Sequence, residues 1–341
     1  TLAENLVSEL SDEYYFTVYC NGSLYHKKER QNKNTNVRLI YLPFIASGWQ
    51  SYIYDFVSLI HAFTFHKNII YLGPTFGFLT FLNLIFKRNL ITNYGGLNEW
   101  ERPKYNQFQK WLFKINIDVA TRFSNFNVVD NYELKKSIES TFNCSSLIIR
   151  YGGDHFKKNY NYDKSLINKY PFVRGKYYLS VARAQVDTNL HLLINTFKDG
   201  FDFPLVIISN WSVSEYGRNL KNKFNNNPNL ILLDAIYDSV EINFIRKNCY
   251  LYIHSHSYCG TAPSLVEAIC LELPIVCYDV PTNRETTLNK SKYFSDEKSL
   301  TMILNDLDQN KIQNLKLELN TLIDRNYTWE KISNDYKKLL I

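Results

Sequence analysis

Short apolar runs alternate with longer stretches of helical spacing along most of the chain. The runs rich in branched residues predict buried strands at Val37–Leu42, Ile69–Leu72, Leu90–Thr92, Val128–Val129 and Leu147–Ile149. A second series follows at Tyr177–Val181, Leu205–Ile208, Leu230–Leu233, Leu251–His254 and Ile275–Cys277. Between them, apolar residues recur at helical spacing over Tyr52–Phe65, Phe108–Phe123, Leu134–Phe142, Leu190–Phe197, Ser264–Leu271 and Ser299–Leu307. Strands alternating with helices imply parallel sheets covered on both faces. The chain opens on an amphipathic helical pattern, Thr1–Leu10, without the strand and glycine turn that usually begin such a domain. The expectation is that the domain's first strand lies upstream of this sequence.

At 341 residues the chain exceeds what one core ordinarily serves, so two domains are expected. The polar stretch Phe156–Lys176, which follows Tyr151-Gly152-Gly153-Asp154-His155, reads as the join. The expected division is a Rossmann-like domain over 1–160, a second over 161–325, and a C-terminal helix over 326–341 that packs back on the first. Lys and Arg outnumber Asp and Glu by 39 to 33. That excess suits anionic small molecules or an anionic membrane surface and falls short of a nucleic-acid signature. The six cysteines show no paired metal spacing and read as reduced residues of a cytoplasmic protein. The apolar run Phe76–Phe86 is about half of what a bilayer crossing needs. It reads as a buried helix, with a place on a membrane surface as the alternative.

The stretch carrying most chemistry is "HSYCGTAPSLVEAICLELPIVCYDVPTNRE", residues 256–285. A strand ends at His254, a loop of small residues follows, and a helix begins near Ser264. Such loops point backbone N–H groups at a ligand. Gly260, Thr261, Ala262, Ser264 and Leu265 let a phosphate or sugar hydroxyl approach the backbone. Pro263 suits the first helical turn. Glu267, one turn in, could hold two neighbouring hydroxyls of a ribose, or could be a solvated surface residue. Three further strand ends add candidates: Arg183, whose planar cation suits a diphosphate, Asn210 after "LVIIS", and Ile236 and Tyr237 after "LLDA" for a nucleobase. His254 and His256 invite a metal reading; they are expected on opposite faces, one buried and one, His256, facing the ligand. No acidic pair with metal spacing is seen, so neither metal nor cofactor is expected.

On these motifs the second half resembles the family 4 glycosyltransferases of GT-B fold, which act on nucleotide sugars with retention. Their mark is two glutamates separated by seven residues, then a strand. Glu267 matches the second, "LELPIVCYDV" matches the strand, and Cys259 stands where the first glutamate would be. "YIHSHSYCGTAPSLVEAI", "YDVPTNRETT" and "SVARAQVDTNL" resemble more closely the bacterial β-1,4-rhamnosyltransferase-like subgroup, whose pattern is HGHS-x-GGTNPSL-x-EAM. Segments such as "RLIYLP", "GGLNEWER" and "YTWEKISNDY" extend the likeness over nearly the whole chain. Two departures stand out. The subgroup's DGLEW is here "YGGLNEW", with Gly95 in place of the aspartate, and the wider family's lysine is absent near Thr188.

The resemblance implies two doubly wound parallel-sheet domains facing across a cleft. The second would hold the donor, Glu267 on the ribose and Arg183 with the Gly260–Leu265 loop on the diphosphate. Asn93, Gly95 and Gly96 would lie at the substrate in the first, where Trp49, Tyr52, Trp100 and Tyr105 are candidates for stacking on sugars. Implied partners are dTDP-rhamnose, or a UDP- or GDP-sugar, and a saccharide acceptor linked to undecaprenyl pyrophosphate. The implied setting is bacterial O-antigen or capsule synthesis at the cytoplasmic face of the inner membrane. A Rossmann oxidoreductase would need a G-x-G-x-x-G turn, which this sequence lacks. A non-catalytic sugar-nucleotide-binding protein is the other alternative.

Overall fold

The computed structural model describes residues 2–23, 34–46, 48–95, 105–157 and 164–341. It divides into two compact units, Thr1–Arg150 with Trp329–Ile341, and Tyr151–Thr328. All strand pairs described are parallel, as expected of alternating strands and helices.

In the first unit β1 (Phe16–Asn21) pairs with β2 (Val37–Leu42), while β3 (Asn68–Leu72), β4 (Asn89–Tyr94), β5 (Phe126–Val129) and β6 (Leu147–Ile148) form a separate sheet in sequence order. A cavity of about 400 Å³ is lined by residues of both sheets, among them Phe16 and Val18 of β1 and Ile69 and Tyr71 of β3. The helix Trp329–Lys337 belongs to this unit. It is fastened there by specific bonds: Asn93 Nδ2 donates to Tyr336 Oη at 2.6 Å, Asn89 Nδ2 donates to the Leu339 carbonyl at 2.7 Å, and Lys337 pairs with Glu13.

The second unit holds β7 (Tyr178–Val181), β8 (Leu205–Ser209), β9 (Leu230–Asp234), β10 (Leu251–His254), β11 (Ile275–Tyr278) and β12 (Lys292–Phe294). Their order across the sheet is β12-β11-β10-β7-β8-β9. β8 and β10 are buried at every position, which accounts for their unbroken apolar runs. One apolar layer includes Leu179, Val206, Leu265, Ile269 and Ile275, the other Leu193, Phe197, Ile207, Ile253 and Leu300. The polar stretch read as a join is folded in part: Lys164–Lys169 is a helix, and Leu166 and Tyr170 pack into the first of these layers.

Phe76–Phe86 departs from the buried helix expected. It is a 3₁₀ turn, Gly77–Leu82, followed by a four-residue helix, Asn83–Phe86. Gly77, Leu79 and Thr80 are buried, whereas Phe78, Leu84 and Ile85 are exposed. The backbone at Gly77 lies hard against the helix Gln107–Phe123. A Cβ there would stand 2.2 Å from the Asn116 carbonyl oxygen, a backbone atom that moves only with its helix. Gly77→Ala should therefore cost about 2 kcal/mol or more, seen as a lower thermal midpoint; an unchanged midpoint would show that this contact does not hold the two segments together.

Candidate functional site

In the second unit the chain runs outward through β7, β8 and β9, then returns to place β10 on the other side of β7. The loops after β7 and β10 thus leave a pair of adjacent strands in opposite directions. At such a switch point an open parallel sheet offers a crevice beyond its carboxyl ends.

Both loops are rich in the residues singled out above, and they are tied together. The Ser257 N–H and hydroxyl both donate to the Asp187 carbonyl, at 2.9 and 3.0 Å. Ser255 Oγ donates to the Thr188 carbonyl at 2.5 Å, and Asn189 Nδ2 to the Ser255 carbonyl at 3.1 Å. Arg183 is exposed on the β7 loop, its carbonyl accepting from Thr188 Oγ1 at 2.8 Å. Asn210, at the end of β8, accepts the Ala184 N–H at 2.9 Å and so fixes the backbone beside Arg183. The β10 loop is braced from the far side by Asn283, which is buried and donates to the carbonyls of His256 and Tyr278, each at 2.9 Å.

Gly260, Thr261 and Ala262 are buried, and Pro263 opens the helix Pro263–Cys270, as its ring predicts. Leu265 is fully buried and its N–H donates to the Ala262 carbonyl at 3.0 Å, so that amide is engaged in the turn. Ser264 is half-buried. Gly153 packs under this helix, where a Cβ would meet the Val266 carbonyl oxygen at 2.9 Å.

Glu267 is not a solvated surface residue: its side chain retains 13 % exposure. Arg246 Nη1 lies 2.7 Å from Glu267 Oε2, and the guanidinium sits over the Phe156 ring, 4.9 Å from its centre. His155 Nε2 stands 3.8 Å from Oε1. The carboxylate is held from below by a buried cation, in one orientation at the head of the loop.

Sequence reasoning missed Arg246. It occupies the apolar stripe of the helix Ser239–Lys247, beside Ile242 and Ile245 at helical spacing. A charge at a core position of a stripe was the available signal, since a buried guanidinium needs an acidic partner.

His254 and His256 share one face, contrary to expectation. Neighbouring residues of a strand alternate between faces, and residues two apart lie on the same one. Their rings are 4.3 Å apart. Burial holds His254 well below the usual imidazole range and lowers His256 to about 4, helped by the nearby Arg183 charge. Ile236 follows β9 and packs partly against the core, while Tyr237 is almost fully exposed. Asn93 and Gly95 end β4 in the first unit, Asn93 buried and engaged by Tyr336, Gly95 exposed. Gly96 and Trp100 lie outside the described residues.

Residues 164–320 match the family model described as "Glycosyl transferases group 1". Among solved structures, HepE from Anabaena in complex with UDP-glucose is similar at a TM-score of 0.75 and 11% identity, over 99% of this chain and 94% of that one. Sucrose-phosphate synthase from Thermosynechococcus elongatus is similar at 0.78 and 13% identity, over 99% and 90%. No match is found among curated protein sequences. The chain has the GT-B fold of these structures, and its residues 164–320 carry the glycosyl transferases group 1 match.

The family match falls on the unit that carries the two tied loops. The Arg246–Glu267 pair is the part of that site most open to a stability test. Arg246→Met should cost about 3 kcal/mol of stability, read as a lower thermal midpoint, because it strands the Glu267 carboxylate in a part-buried place. Adding Glu267→Gln should recover part of the loss; equal losses in single and double variants would mean that the pair is not coupled.

Proposed function

We propose that the protein is a glycosyltransferase that transfers a hexose from a nucleoside diphosphate sugar held by the tied loops after β7 and β10. The observation that carries this is the convergence, at one switch point, of Arg183, the Gly260–Ser264 loop and the buttressed Glu267. Each has a matching part of the donor. The carboxylate, oriented by Arg246, accepts two hydrogen bonds from vicinal ribose hydroxyls. Arg183 and the amides at the helix start meet the diphosphate, where negative charge grows as the bond to the sugar breaks. Tyr237 and the backbone around Ile236 serve the base. That HepE was solved with UDP and with UDP-glucose supports a nucleotide-sugar donor.

Transfer with retention follows from the family 4 likeness. The acceptor hydroxyl attacks C1 on the face that the diphosphate is leaving; the C1–phosphate bond breaks, the new glycosidic bond forms, and the departing phosphate oxygen takes the proton. No cofactor enters this step. The likeness to the rhamnosyltransferase-like subgroup favours dTDP-rhamnose, with a lipid-pyrophosphate-linked saccharide as acceptor in bacterial surface-polysaccharide synthesis, and the first unit as the acceptor's. The exposed Phe78, Leu84 and Ile85, followed by Lys87 and Arg88, suit a membrane interface on that unit. This would hold the enzyme to the inner membrane's cytoplasmic face.

Thermal stabilisation by dTDP-rhamnose, UDP-glucose and a GDP-sugar tests the donor. A ligand at about 100 times its Kd adds about 2.7 kcal/mol. Selective stabilisation by dTDP-rhamnose is expected, with Glu267→Ala and Arg183→Ala each weakening binding at least about tenfold. Stabilisation by UDP-glucose alone would change the donor, and unaltered binding in both variants would overturn the site. Co-sedimentation with anionic vesicles tests the membrane reading: Leu84→Glu with Ile85→Glu should abolish binding, and wild-type protein left in the supernatant would refute it.

A further inference from the structure

The buried His254 and the half-buried His256 have a neighbour that the donor reading does not use. One ring nitrogen each of His254 and His256 and the Sγ of Cys259 all lie within 4.8 Å of one another. His254 is 1% exposed, and the Nε2 atoms of both rings are buried without a hydrogen-bond partner. A buried polar atom left in that state costs about 1–3 kcal/mol, and here two such rings stand side by side. In the same loop the hydroxyls of Ser255 and Ser257 are bonded.

We propose that His254, His256 and Cys259 form a binding site for a thiophilic divalent cation of the zinc type. A thiolate with two neutral imidazoles is a donor set for Zn²⁺ or Co²⁺ and a poor one for Mg²⁺ or Ca²⁺, which take oxygen ligands. Nitrogen and sulfur atoms around tetrahedral zinc stand about 3–4 Å apart, from bond lengths of about 2.0–2.3 Å, so closing the cluster takes roughly an ångström of movement. The residue that must move is placed to do so: Cys259 lies in a loop and is only half-buried, and it forms no disulfide. On binding, the thiol releases one proton to solvent, its sulfur and the two ring nitrogens donate electron pairs to the cation, and the fourth position falls to a non-protein ligand. The Arg183 charge near His256 opposes the cation; that residue is exposed, and water screens it.

The site departs from the expectation of a metal-free protein, and from the subgroup pattern as well. In HGHS-x-GGTNPSL the position of Cys259 is glycine, so the thiol completes a histidine pair that the pattern already holds. The inference does not depend on which donor binds, or on whether one does.

The test uses the full chain, treated with a chelator, reduced, and titrated with Co²⁺. A thiolate-to-cobalt charge-transfer band should appear, with ligand-field bands of four-coordinate intensity, saturating at one cobalt per chain and bleached by Zn²⁺. Cys259→Ser should abolish the charge-transfer band while leaving the far-ultraviolet circular dichroism intact. His256→Gln should weaken cobalt binding at least about tenfold, in line with the loss of one of three ligands. Absence of the band in the wild type would overturn the proposal. So would a band that survives in Cys259→Ser, since another of the six cysteines would then be its source. If Cys259→Ser misfolds, Cys259→Gly, the residue of the subgroup pattern, provides the same readout.

Discussion

The arrangement rests on two neighbouring strands, β7 and β10, whose loops leave in opposite directions and are then sewn together. A parallel sheet makes its crevice wherever the strand order reverses, but it does not by itself fix the loops that bound it. Here four hydrogen bonds do so, two from Ser257 to the Asp187 carbonyl, one from Ser255 to Thr188, and one from Asn189 to Ser255. Asn210 and Asn283 brace the pair from either side. These bonds run between uncharged groups, with Arg183 exposed at the rim and Glu267 paired with Arg246 behind it.

Glu267 shows how a carboxylate is kept inside the fold. A carboxylate with little exposure needs a counter-ion, and Arg246 supplies it from a helix whose other stripe residues are apolar. The guanidinium is in turn stacked on Phe156, and Asn243 of the same helix donates to the Phe156 carbonyl at 2.6 Å. The result is a carboxylate whose position is set before any ligand arrives, which lowers the ordering cost of binding.

Much of this was readable from residue order, for reasons that differ by element. β8 and β10 are buried along their whole length, so their apolar runs stood out. β1 and β12 were missed as strands: every position of β1 is half-buried, and β12 has three residues. Polar helices such as Glu215–Phe224 and Gln309–Asn320 show few apolar positions and were passed over; capping by Ser214 and Asp308 marks their starts. In the site, Arg183, Gly260 and Glu267 follow from strand ends and small residues. Arg246 and Asn283 do not, because their roles depend on contacts across the fold. The histidine pair was misplaced by a rule misapplied, since strand periodicity puts positions 254 and 256 together.

Hydrogen exchange with and without saturating nucleoside diphosphate tests most directly whether the loops after β7 and β10 hold the donor nucleotide. New protection of backbone amides is expected to be confined to residues 182–189 and 255–267, with a smaller effect around 236–237. Protection confined to the first unit, or none in those two loops while the nucleotide is bound, would contradict it.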